Sequence, residues 1–281
     1  MRNIKEIADF LIKLAIAEDV GSGDITTRAI VPKDQKAKAE AKAKENGIIC
    51  GQAVAAEVFR HIDPRIKYSA KAKDGTFVTK GKVIAVISGP ARGILTGERV
   101  ALNFLQHLSG IATLTRNFKL QISNLKNKTQ ILDTRKTIPG LRVLEKYAVK
   151  MGGGLNHRMG LYDAVLIKDN HIGIAGGIRR AVEGVRRRYG AKKAIEVEAR
   201  TVGEVKEAIK AGVARILLDN MNIRTLKEAV KLCKKAGIKT EASGGVNLNN
   251  VRAIAGTGVD YISIGALTHS AKALDISLKI G

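Results

Sequence analysis

The chain has 281 residues, a hydrophobic fraction of 45% and a formal net charge of +23 at pH 7. This length and apolar content supply the core of one large domain or two modest ones, and no stretch is apolar for long enough to span a bilayer. The two cysteines, Cys50 and Cys233, lie far apart and lack metal-ligand spacing, so the sequence indicates neither a disulfide framework nor a zinc site. The start, Met1 to Leu14, lacks a signal-peptide pattern, so we expect a cytoplasmic protein with no membrane partner.

The positive charge by itself suggests a nucleic acid or another polyanion as partner. Its distribution argues against nucleic acid, because the lysines and arginines are spread along the whole chain. Side chains for base stacking are also scarce, with five tyrosines, five phenylalanines and no tryptophan. We therefore expect no nucleic-acid partner, and a basic nucleic-acid-binding protein remains the non-enzyme alternative. A positive field would also attract a small, highly charged substrate.

The first half of the chain mixes helix and strand patterns. Apolar residues recur at helical spacing in Met1–Leu14, Ala53–Ile62 and Gly97–Ser109, so each segment is predicted to be a helix. Lysine or glutamate alternates with alanine in Lys36–Lys44, which predicts a strand with one solvated face. A second strand is predicted over Val83–Ser88, before a glycine and a proline. This half is typical of an α+β domain.

The second half repeats a short apolar run followed by an amphipathic segment, which is the pattern of consecutive βα units. The predicted strands are Thr129–Leu132, Ala164–Ile167, Ala194–Glu198, Ala214–Leu218, Ile238–Ala242 and Val259–Ile264. Four positions at the later strand ends, Glu198, Asp219, Ser243 and Ser263, follow one another at intervals of 20 to 24 residues. Parallel strands joined by helical crossovers produce such intervals, and an α/β barrel is the simplest architecture for them.

The predicted fold class is therefore α/β, with two domains. An α+β, sandwich-like N-terminal domain over residues 1–112 precedes an open or incomplete α/β barrel over residues 113–269. The last segment, residues 270–281, is predicted to pack back on the N-terminal domain.

A cluster of cationic side chains marks the segment from Asp133 to His171. An isolated basic pair is usually solvated surface, but here six such groups surround a run of three glycines and lie at the edges of apolar runs. They are Arg135, Lys136, His157, Arg158, Lys168 and His171. Because the carboxyl ends of barrel strands converge, these side chains predict an anion-binding site.

Two loops of small residues follow the last two predicted strands. They are Ser243–Gly244–Gly245 and Ser263–Ile264–Gly265. Either loop alone could be ordinary turn chemistry. Two of them, one repeat apart at the end of a barrel, favour a phosphate-binding cup in which backbone N–H groups at helix N-termini face the anion.

Two carboxylates, Glu198 and Asp219, lie one strand apart in this otherwise cationic site. Carboxylates among arginines are often structural partners. A pair that faces a sugar phosphate can also hold ribose hydroxyls and, through water, Mg²⁺. Glu196 lies two residues before Glu198 and should share its face, deeper in the barrel and away from the substrate.

These residues resemble a known enzyme family. The segment DTRKTIPGLRVLEKYAVKMGGGLNHRMGLYDAVLIKDNHI, Asp133 to Ile172, is similar to the signature of the quinolinate phosphoribosyltransferase family. The similarity extends in the same order over nearly the whole chain. It includes EDVGSGDITT (Glu18–Thr27), GERVALNFLQHLSGIAT (Gly97–Thr113), IEVEA (Ile195–Ala199), LLDN (Leu217–Asn220), EASGGV (Glu241–Val246) and ISIGALTHS (Ile262–Ser270).

The resemblance implies a pentosyltransferase of NAD biosynthesis. Such an enzyme transfers phosphoribosyl from phosphoribosyl pyrophosphate (PRPP) to quinolinate with decarboxylation, and releases nicotinate mononucleotide, CO₂ and pyrophosphate. The implied substrates are quinolinate and PRPP, and the implied cofactor is Mg²⁺ bound with PRPP.

The resemblance also implies roles for individual residues. The residues implied for quinolinate binding are Arg99, Thr134, Arg135, His157 and Arg158. Those implied for PRPP binding are Lys136, Lys168, Glu198, Asp219, Ser243, Gly244, Gly245, Ser263, Ile264 and Gly265. Lys136, Glu198 and Asp219 are the implied catalytic residues, and the two carboxylates would hold the metal directly or through water. The implied assembly is a homodimer, which can assemble further into a hexamer, with Arg99 reaching the neighbouring subunit's site.

Two other enzymes remain as alternatives. A sister phosphoribosyltransferase linked to molybdenum transport would share the barrel and the PRPP cup but act on another base, and a change in Arg135, His157 or Arg158 would mark it. A nicotinate-specific transferase would need fewer cations, because its substrate has one carboxylate rather than two.

Overall fold

The computed structural model describes residues 4–281, with side chains from residue 8 onward. These residues divide into two compact units. The first comprises the described part of Met1–Arg116 together with Thr137–Gly153 and Leu267–Gly281, and the second comprises Asn117–Lys136 and Gly154–Ala266. The boundaries at residues 112 and 269 stay a prediction. The first unit takes in Thr137–Gly153, which the sequence division assigned to the barrel.

The strands in chain order are β1 (Lys36–Ala43), β2 (Gly47–Ile48), β3 (Lys67–Ala70), β4 (Phe77–Val78), β5 (Val83–Pro90), β6 (Gln130–Leu132), β7 (Val165–Ile167), β8 (Ile195–Ala199), β9 (Arg215–Asp219), β10 (Lys239–Ser243), β11 (Tyr261–Ser263) and β12 (Ile276–Ile280). The helices are α1 (Ile4–Val20), α2 (Ile25–Ile30), α3 (Gln52–Ile62), α4 (Ala91–Ile122), α5 (Arg142–Met151), α6 (Asp169–Ala175), α7 (Ile178–Tyr189), α8 (Val202–Lys210), α9 (Ile223–Lys235), α10 (Val251–Ala255) and α11 (Ala266–His269). Within the described range, no helix is both long enough and apolar enough to cross a bilayer.

The predicted strands and helices are present, with two differences in the helices. The first three positions of the predicted helix Met1–Leu14 lie outside the described residues, and the helix continues to Val20. The predicted helix Gly97–Ser109 is the middle of the 32-residue α4, which also runs through the predicted boundary at residue 112. Periodicity located both helices, but both continue beyond their predicted C-terminal ends, and α4 also begins before its predicted start.

The first unit contains a four-stranded antiparallel sheet in the order β12-β1-β5-β3, and β2 pairs with β4. On β1 the alanines Ala39, Ala41 and Ala43 are buried, while the charged residues between them are exposed or half-buried. This is the predicted alternation, because successive side chains of a strand point to opposite faces. β12 pairs with β1, with Leu278 opposite Ala41, so the end of the chain completes this sheet.

The second unit contains six parallel strands in the order β6-β11-β10-β9-β8-β7. In the described residues β6 and β7 are the two ends of this order and do not pair with each other, so the barrel is open. All five residues of β8 are buried, as expected for a parallel strand that is covered on both faces. An α+β domain followed by an incomplete α/β barrel is the predicted fold, and the structure confirms it.

Helix caps hold the chain at two strand ends of the barrel. The Thr201 hydroxyl accepts the Glu204 N–H at the start of α8, and the Glu204 carboxylate accepts the Thr201 N–H. The Asn222 side chain accepts the Thr225 N–H at the start of α9. Such caps satisfy N–H groups that a helix terminus leaves free. They fix the chain directly after β8 and β9, the strands that carry Glu198 and Asp219.

Candidate active site

The second unit brings most of the predicted site residues to one edge of its sheet. Because its strands are parallel, their carboxyl ends share an edge. The predicted residues at this edge are Thr134, Arg135 and Lys136 after β6, Lys168 after β7, Glu198 in β8, Asp219 in β9, Ser243, Gly244 and Gly245 at β10, and Ser263, Ile264 and Gly265 at β11. Arg99 lies on α4 in the first unit.

The buried carboxylate of Asp133 anchors the segment that carries His157. Asp133 is fully buried, and its Oδ1 accepts the backbone N–H of His157 at 2.9 Å. The backbone of Leu155 pairs with Ile131 and Asp133 at the end of β6. These bonds hold His157 and the following Arg158 beside the end of β6. The sequence pattern did not single out Asp133, although it opens the motif.

Arg135 and Arg158 form the cationic part of the site. Burial lowers the pKa of Arg158, and the positive charge of Arg135 lowers it further. Arg158 Nη1 donates to the Ala164 carbonyl at 3.0 Å. The Nε of Arg135 is buried and, among the described residues, has no hydrogen-bond acceptor. A buried donor without an acceptor and a second guanidinium suit an anionic ligand.

His157 lies above two buried glutamates inside the barrel. Its Nε2 is 3.2 Å from Glu196 Oε2 and 3.5 Å from Glu241 Oε1, and its Nδ1 accepts the Arg158 N–H at 2.7 Å. Burial, and then the negative charge of Glu196, raise the pKa of Glu241 to about 7. Arg215 Nη1 donates to Glu241 Oε2 at 2.9 Å. Both ring nitrogens of His157 thus have protein partners, and its contact with a substrate carboxylate stays a prediction.

Glu198 and Asp219 lie together at the ends of β8 and β9. Glu198 is buried, and burial followed by the negative charge of Asp219 raises its pKa. Arg200 Nη2 is 3.3 Å from Glu198 Oε1, and Arg200 Nε is 3.5 Å from Asp219 Oδ2. The same guanidinium contacts Asp169 after β7, at 2.7 Å. The sequence interpretation included neither Arg200 nor Asp169 in the site.

The loop after β10 has the backbone of a tight turn. Gly244 and Gly245 have φ angles of 97° and 59°, which favour glycine. A Cβ on Gly244 would lie 2.1 Å from the Asn220 Oδ1, so the Asn220 side chain packs directly against this glycine. Asn220 itself has a φ of 53°, and its amide donates to Asp219 at 2.9 Å. Asn220 therefore connects the carboxylate end of β9 with the glycine turn after β10.

The predicted phosphate cup differs from the structure in two details. The helix after β10 begins at Val251, so Gly244 and Gly245 do not stand at a helix N-terminus as the sequence suggested. After β11 the helix begins at once, at Ala266, but the Ile264 N–H is bonded to the Leu132 carbonyl at 3.0 Å. Ile264 therefore extends the pairing of β11 with β6, and this N–H does not face an anion. Local residue types indicate a turn but do not determine where the next helix begins.

The sequence interpretation missed Glu241, Asn220 and Arg200 at this edge. The alternation of side chains along β10 could have identified Glu241. Glu241 lies two positions before Ser243, as Glu196 lies two positions before Glu198. Period-2 alternation therefore directs Glu241 to the same interior face as Glu196. Asn220 and Arg200 carry no such signal, because their roles depend on a backbone angle and on a side-chain direction.

Known proteins match this chain over almost its full length. Sequence profiles of the quinolinate phosphoribosyl transferase C-terminal and N-terminal domains match residues 111–279 and 24–109. A chloroplastic nicotinate-nucleotide pyrophosphorylase (carboxylating) of Arabidopsis thaliana is 48% identical over 289 residues, covering 96% of this chain and 82% of that protein. A probable nicotinate-nucleotide pyrophosphorylase (carboxylating) of Bacillus subtilis is 48% identical over 263 residues, covering 94% and 90%.

A solved structure shows the same architecture. The nicotinate-nucleotide pyrophosphorylase from Francisella tularensis has a TM-score of 0.93 to this chain at 42% sequence identity, covering 98% of this chain and 96% of that one. Both domain profiles, two relatives at 48% identity and a full-length structural match therefore point to the same family. The chain belongs to the quinolinate phosphoribosyl transferase family.

Proposed function

We propose that this chain transfers the phosphoribosyl group of PRPP to the ring nitrogen of quinolinate with loss of the 2-carboxylate. The products are nicotinate mononucleotide, CO₂ and pyrophosphate, and the reaction belongs to NAD biosynthesis. One observation carries the proposal: the buried Nε of Arg135, just after β6, has no acceptor among the described residues. The charge of Arg135 also lowers the pKa of Arg158, after the effect of burial. Two guanidinium groups match the two carboxylates of a pyridine dicarboxylate.

In this proposal the quinolinate carboxylates bind Arg135 and Arg158, with Thr134 and His157 beside them. Thr134 Oγ1 accepts the Lys136 N–H at 3.0 Å, which shapes the turn after β6. The geometry of His157 supports a positioning role, because its Nδ1 holds the backbone of Arg158. Contact between His157 and quinolinate remains part of the proposal.

PRPP binds along the other strand ends. Lys136 and Lys168 are assigned to the pyrophosphate and ribose, and Glu198 and Asp219 to the ribose side. The 5-phosphate is assigned to the small-residue loops after β10 and β11, which comprise Ser243, Gly244, Gly245, Ser263, Ile264 and Gly265. The N–H of Ile264 is bonded to the Leu132 carbonyl, so it does not serve as a donor to the phosphate. The φ angles of the two glycines after β10 support this assignment, because they let the backbone approach a ligand closely.

The residues at the ends of β8 and β9 fit a magnesium ion bound with PRPP. Carboxylate oxygens are ligands that Mg²⁺ prefers, and burial together with the charge of Asp219 raises the pKa of Glu198, so a cation would relieve their repulsion. Glu198 and Asp219 would hold the ion directly or through water. When bound, the ion supplies positive charge beside the departing pyrophosphate.

The charges of the site suit both stages of the reaction. Displacement at the anomeric carbon develops positive charge on the ribose, which the carboxylates of Glu198 and Asp219 stabilise, and negative charge on pyrophosphate, which Lys136 and Lys168 stabilise. Glycosylation then makes the pyridine nitrogen cationic. Loss of CO₂ leaves an electron pair on the adjacent carbon, which this cation stabilises and a proton replaces, so no dedicated decarboxylation base is required.

The assembly and location are part of the same proposal. We propose a homodimer that can assemble further into a hexamer, in which Arg99 reaches the quinolinate site of the neighbouring subunit. We propose the cytoplasm as its location, supported by Cys50 and Cys233, which are both buried and unpaired.

The deciding experiment supplies the purified protein with quinolinate, PRPP and Mg²⁺ and measures nicotinate mononucleotide and CO₂ together. Nicotinate serves as a parallel substrate with one carboxylate. We expect both products in equal amounts from quinolinate and none of the mononucleotide from nicotinate. Turnover of nicotinate alone would contradict the two-carboxylate assignment, and turnover of neither would favour a phosphoribosyltransferase that accepts another base.

A further inference from the structure

Arg200 connects three carboxylates that follow three neighbouring strands. Its Nη2 lies 2.7 Å from Asp169 Oδ2 and 3.3 Å from Glu198 Oε1, and its Nε lies 3.5 Å from Asp219 Oδ2. Asp169 follows β7, Glu198 belongs to β8 and Asp219 ends β9, and these strands are adjacent in the sheet. One guanidinium therefore spans the whole acidic part of the candidate site.

A hydrogen bond fixes the backbone of Arg200, while its side chain is exposed to solvent. The Arg200 N–H donates to Glu204 Oε2 at 2.6 Å, within the cap that begins α8. The side chain itself is 53% exposed, whereas the Glu198 side chain is only 7% exposed. A long side chain with a fixed backbone and a solvated end can leave one carboxylate and keep another without any change in the fold.

The three carboxylates differ in their exposure and in the hydrogen-bond donors that they have besides Arg200. The Glu198 and Asp219 side chains are only 7% and 16% exposed, so water screens little of the repulsion between the two carboxylates. The Asp169 side chain is 42% exposed and has a second hydrogen-bond donor, the Asn170 N–H at 2.8 Å. Arg200 is thus a cation in contact with both Glu198 and Asp219, and Asp169 provides its shortest contact. The charge of Lys168 also acts on Glu198.

We propose that Arg200 is a positioning residue whose guanidinium lies between Glu198 and Asp219 until Mg²⁺ and PRPP bind there. Asp169 then holds the guanidinium of Arg200 beside the site. This inference rests on the proposed function, which assigns Glu198 and Asp219 to the ribose and the metal. It adds a consequence: the protein binds the divalent ion weakly by itself, because the ion must displace a cation. PRPP carries negative charge of its own, so the divalent ion binds more tightly when PRPP is present.

The test measures direct binding of Mn²⁺, as a probe for Mg²⁺, to the full-length protein without PRPP at low ionic strength. We expect Arg200→Gln to bind Mn²⁺ about three- to tenfold more tightly than the wild type, because a competing positive charge is removed from the ligands. Arg200→Lys keeps the charge and should stay close to the wild type. Arg179→Gln is the matched control, because Arg179 is also exposed and pairs with a carboxylate, Glu183, on α7.

The tighter binding should return to the wild-type level when Asp219→Asn is added to Arg200→Gln. Equal Mn²⁺ affinity in Arg200→Gln and the wild type overturns the inference, as does tighter binding that survives the Asp219 change. Failure of the proposed function appears in a separate measurement, the formation of nicotinate mononucleotide by the wild type. Thermal melting of each variant confirms that the compared proteins are folded.

Discussion

Asn220 has two separate features, a left-handed backbone angle and a side-chain hydrogen bond to Asp219. Its φ of 53° lies in the left-handed region, and among the described residues it is the sole non-glycine there. Non-glycine residues in this region are uncommon, and asparagine is enriched among them. Its amide also donates to Asp219 and packs against Gly244. Strain of this kind at a strand end that carries a proposed catalytic carboxylate is consistent with a functional role.

Substituting Asn220 separates these two contributions. Asn220→Ala keeps the left-handed angle without the amide, so we expect a loss of about 1 kcal/mol in the free energy of unfolding. Asn220→Gly tolerates the angle and should lose less stability. Both variants lack the amide that orients Asp219 and should bind PRPP more weakly. Urea denaturation and PRPP titration measure the two effects, and equal destabilisation by Ala and Gly would exclude the backbone explanation.

Arg135 is the residue on which the choice of substrate depends most directly. We expect Arg135→Ala to raise the KM for quinolinate at least about tenfold, because hydrogen bonds to a charged group contribute about 1.5–3 kcal/mol. The KM for PRPP should change much less. Steady-state kinetics with each substrate varied in turn measure both values.

Arg65→Ala provides the control for this substitution. Arg65 is exposed in the first unit and pairs with Asp63 at 2.7 Å, so its removal should leave both KM values unchanged. An equal rise in both KM values with Arg135→Ala would show that the residue supports the site in general rather than the quinolinate carboxylates.

At the scale of elements, Asp260 joins β10 to the start of β11. Its Oδ2 accepts the Thr240 N–H and the Thr240 hydroxyl, both at 2.9 Å, and Lys239 Nζ donates to Oδ1 at 2.8 Å. Burial alone would raise the pKa of Asp260, but the hydrogen bonds from Lys239 and Thr240 outweigh it, so the pKa is lowered. The ionised carboxylate is therefore the form that stabilises this strand pair.

The lowered pKa sets the sign of a pH effect. The stabilisation is present above the pKa of an unfolded aspartate, about 3.9, and is lost as the pH falls through the lower folded value. We expect Asp260→Asn to cost about 1–3 kcal/mol at pH 7 and less at pH 3. Urea denaturation at the two pH values provides the comparison. A cost that is the same at both would mean that the charge of Asp260 does not contribute.

At the scale of the whole molecule, the last strand of the chain completes the first sheet. β12 lies beside β1, and Ile276 is 2% exposed whereas Ile280 is 44% exposed. Both isoleucines belong to the same short strand. The C-terminal strand therefore contributes to the core of the first unit through one of its two isoleucines.

These two isoleucines form a matched pair for testing that contribution. We expect Ile276→Ala to lower the free energy of unfolding by about 2–5 kcal/mol, because it removes buried methylene groups and leaves a cavity. Ile280→Ala should change it by less than about 0.5 kcal/mol, as an exposed substitution does. Denaturant unfolding of both variants measures the difference. Similar small effects would show that the first unit is stable without the buried contact of β12.

The amino-acid sequence by itself determined the six strands of the barrel and their alternation with helices. Alternation in Lys36–Lys44 and the apolar runs of the second half depend on side-chain period, which is a local property of the chain. The convergence of Arg135, Lys168, Glu198 and Asp219 follows from parallel strands alone. The assignment of particular substrates to these residues came from the resemblance of whole motifs rather than from periodicity.

Only the tertiary structure decided how residues distant in the sequence meet. The pairing of β12 with β1 joins segments more than 230 residues apart, and local patterns carry no information about such a pairing. The bridge of Arg200 to Asp169, Glu198 and Asp219 depends on the direction of a long side chain. The close approach of the Asn220 side chain to Gly244 joins the ends of two neighbouring strands. These features arise from packing between strands, so they exist only once the strands are in place.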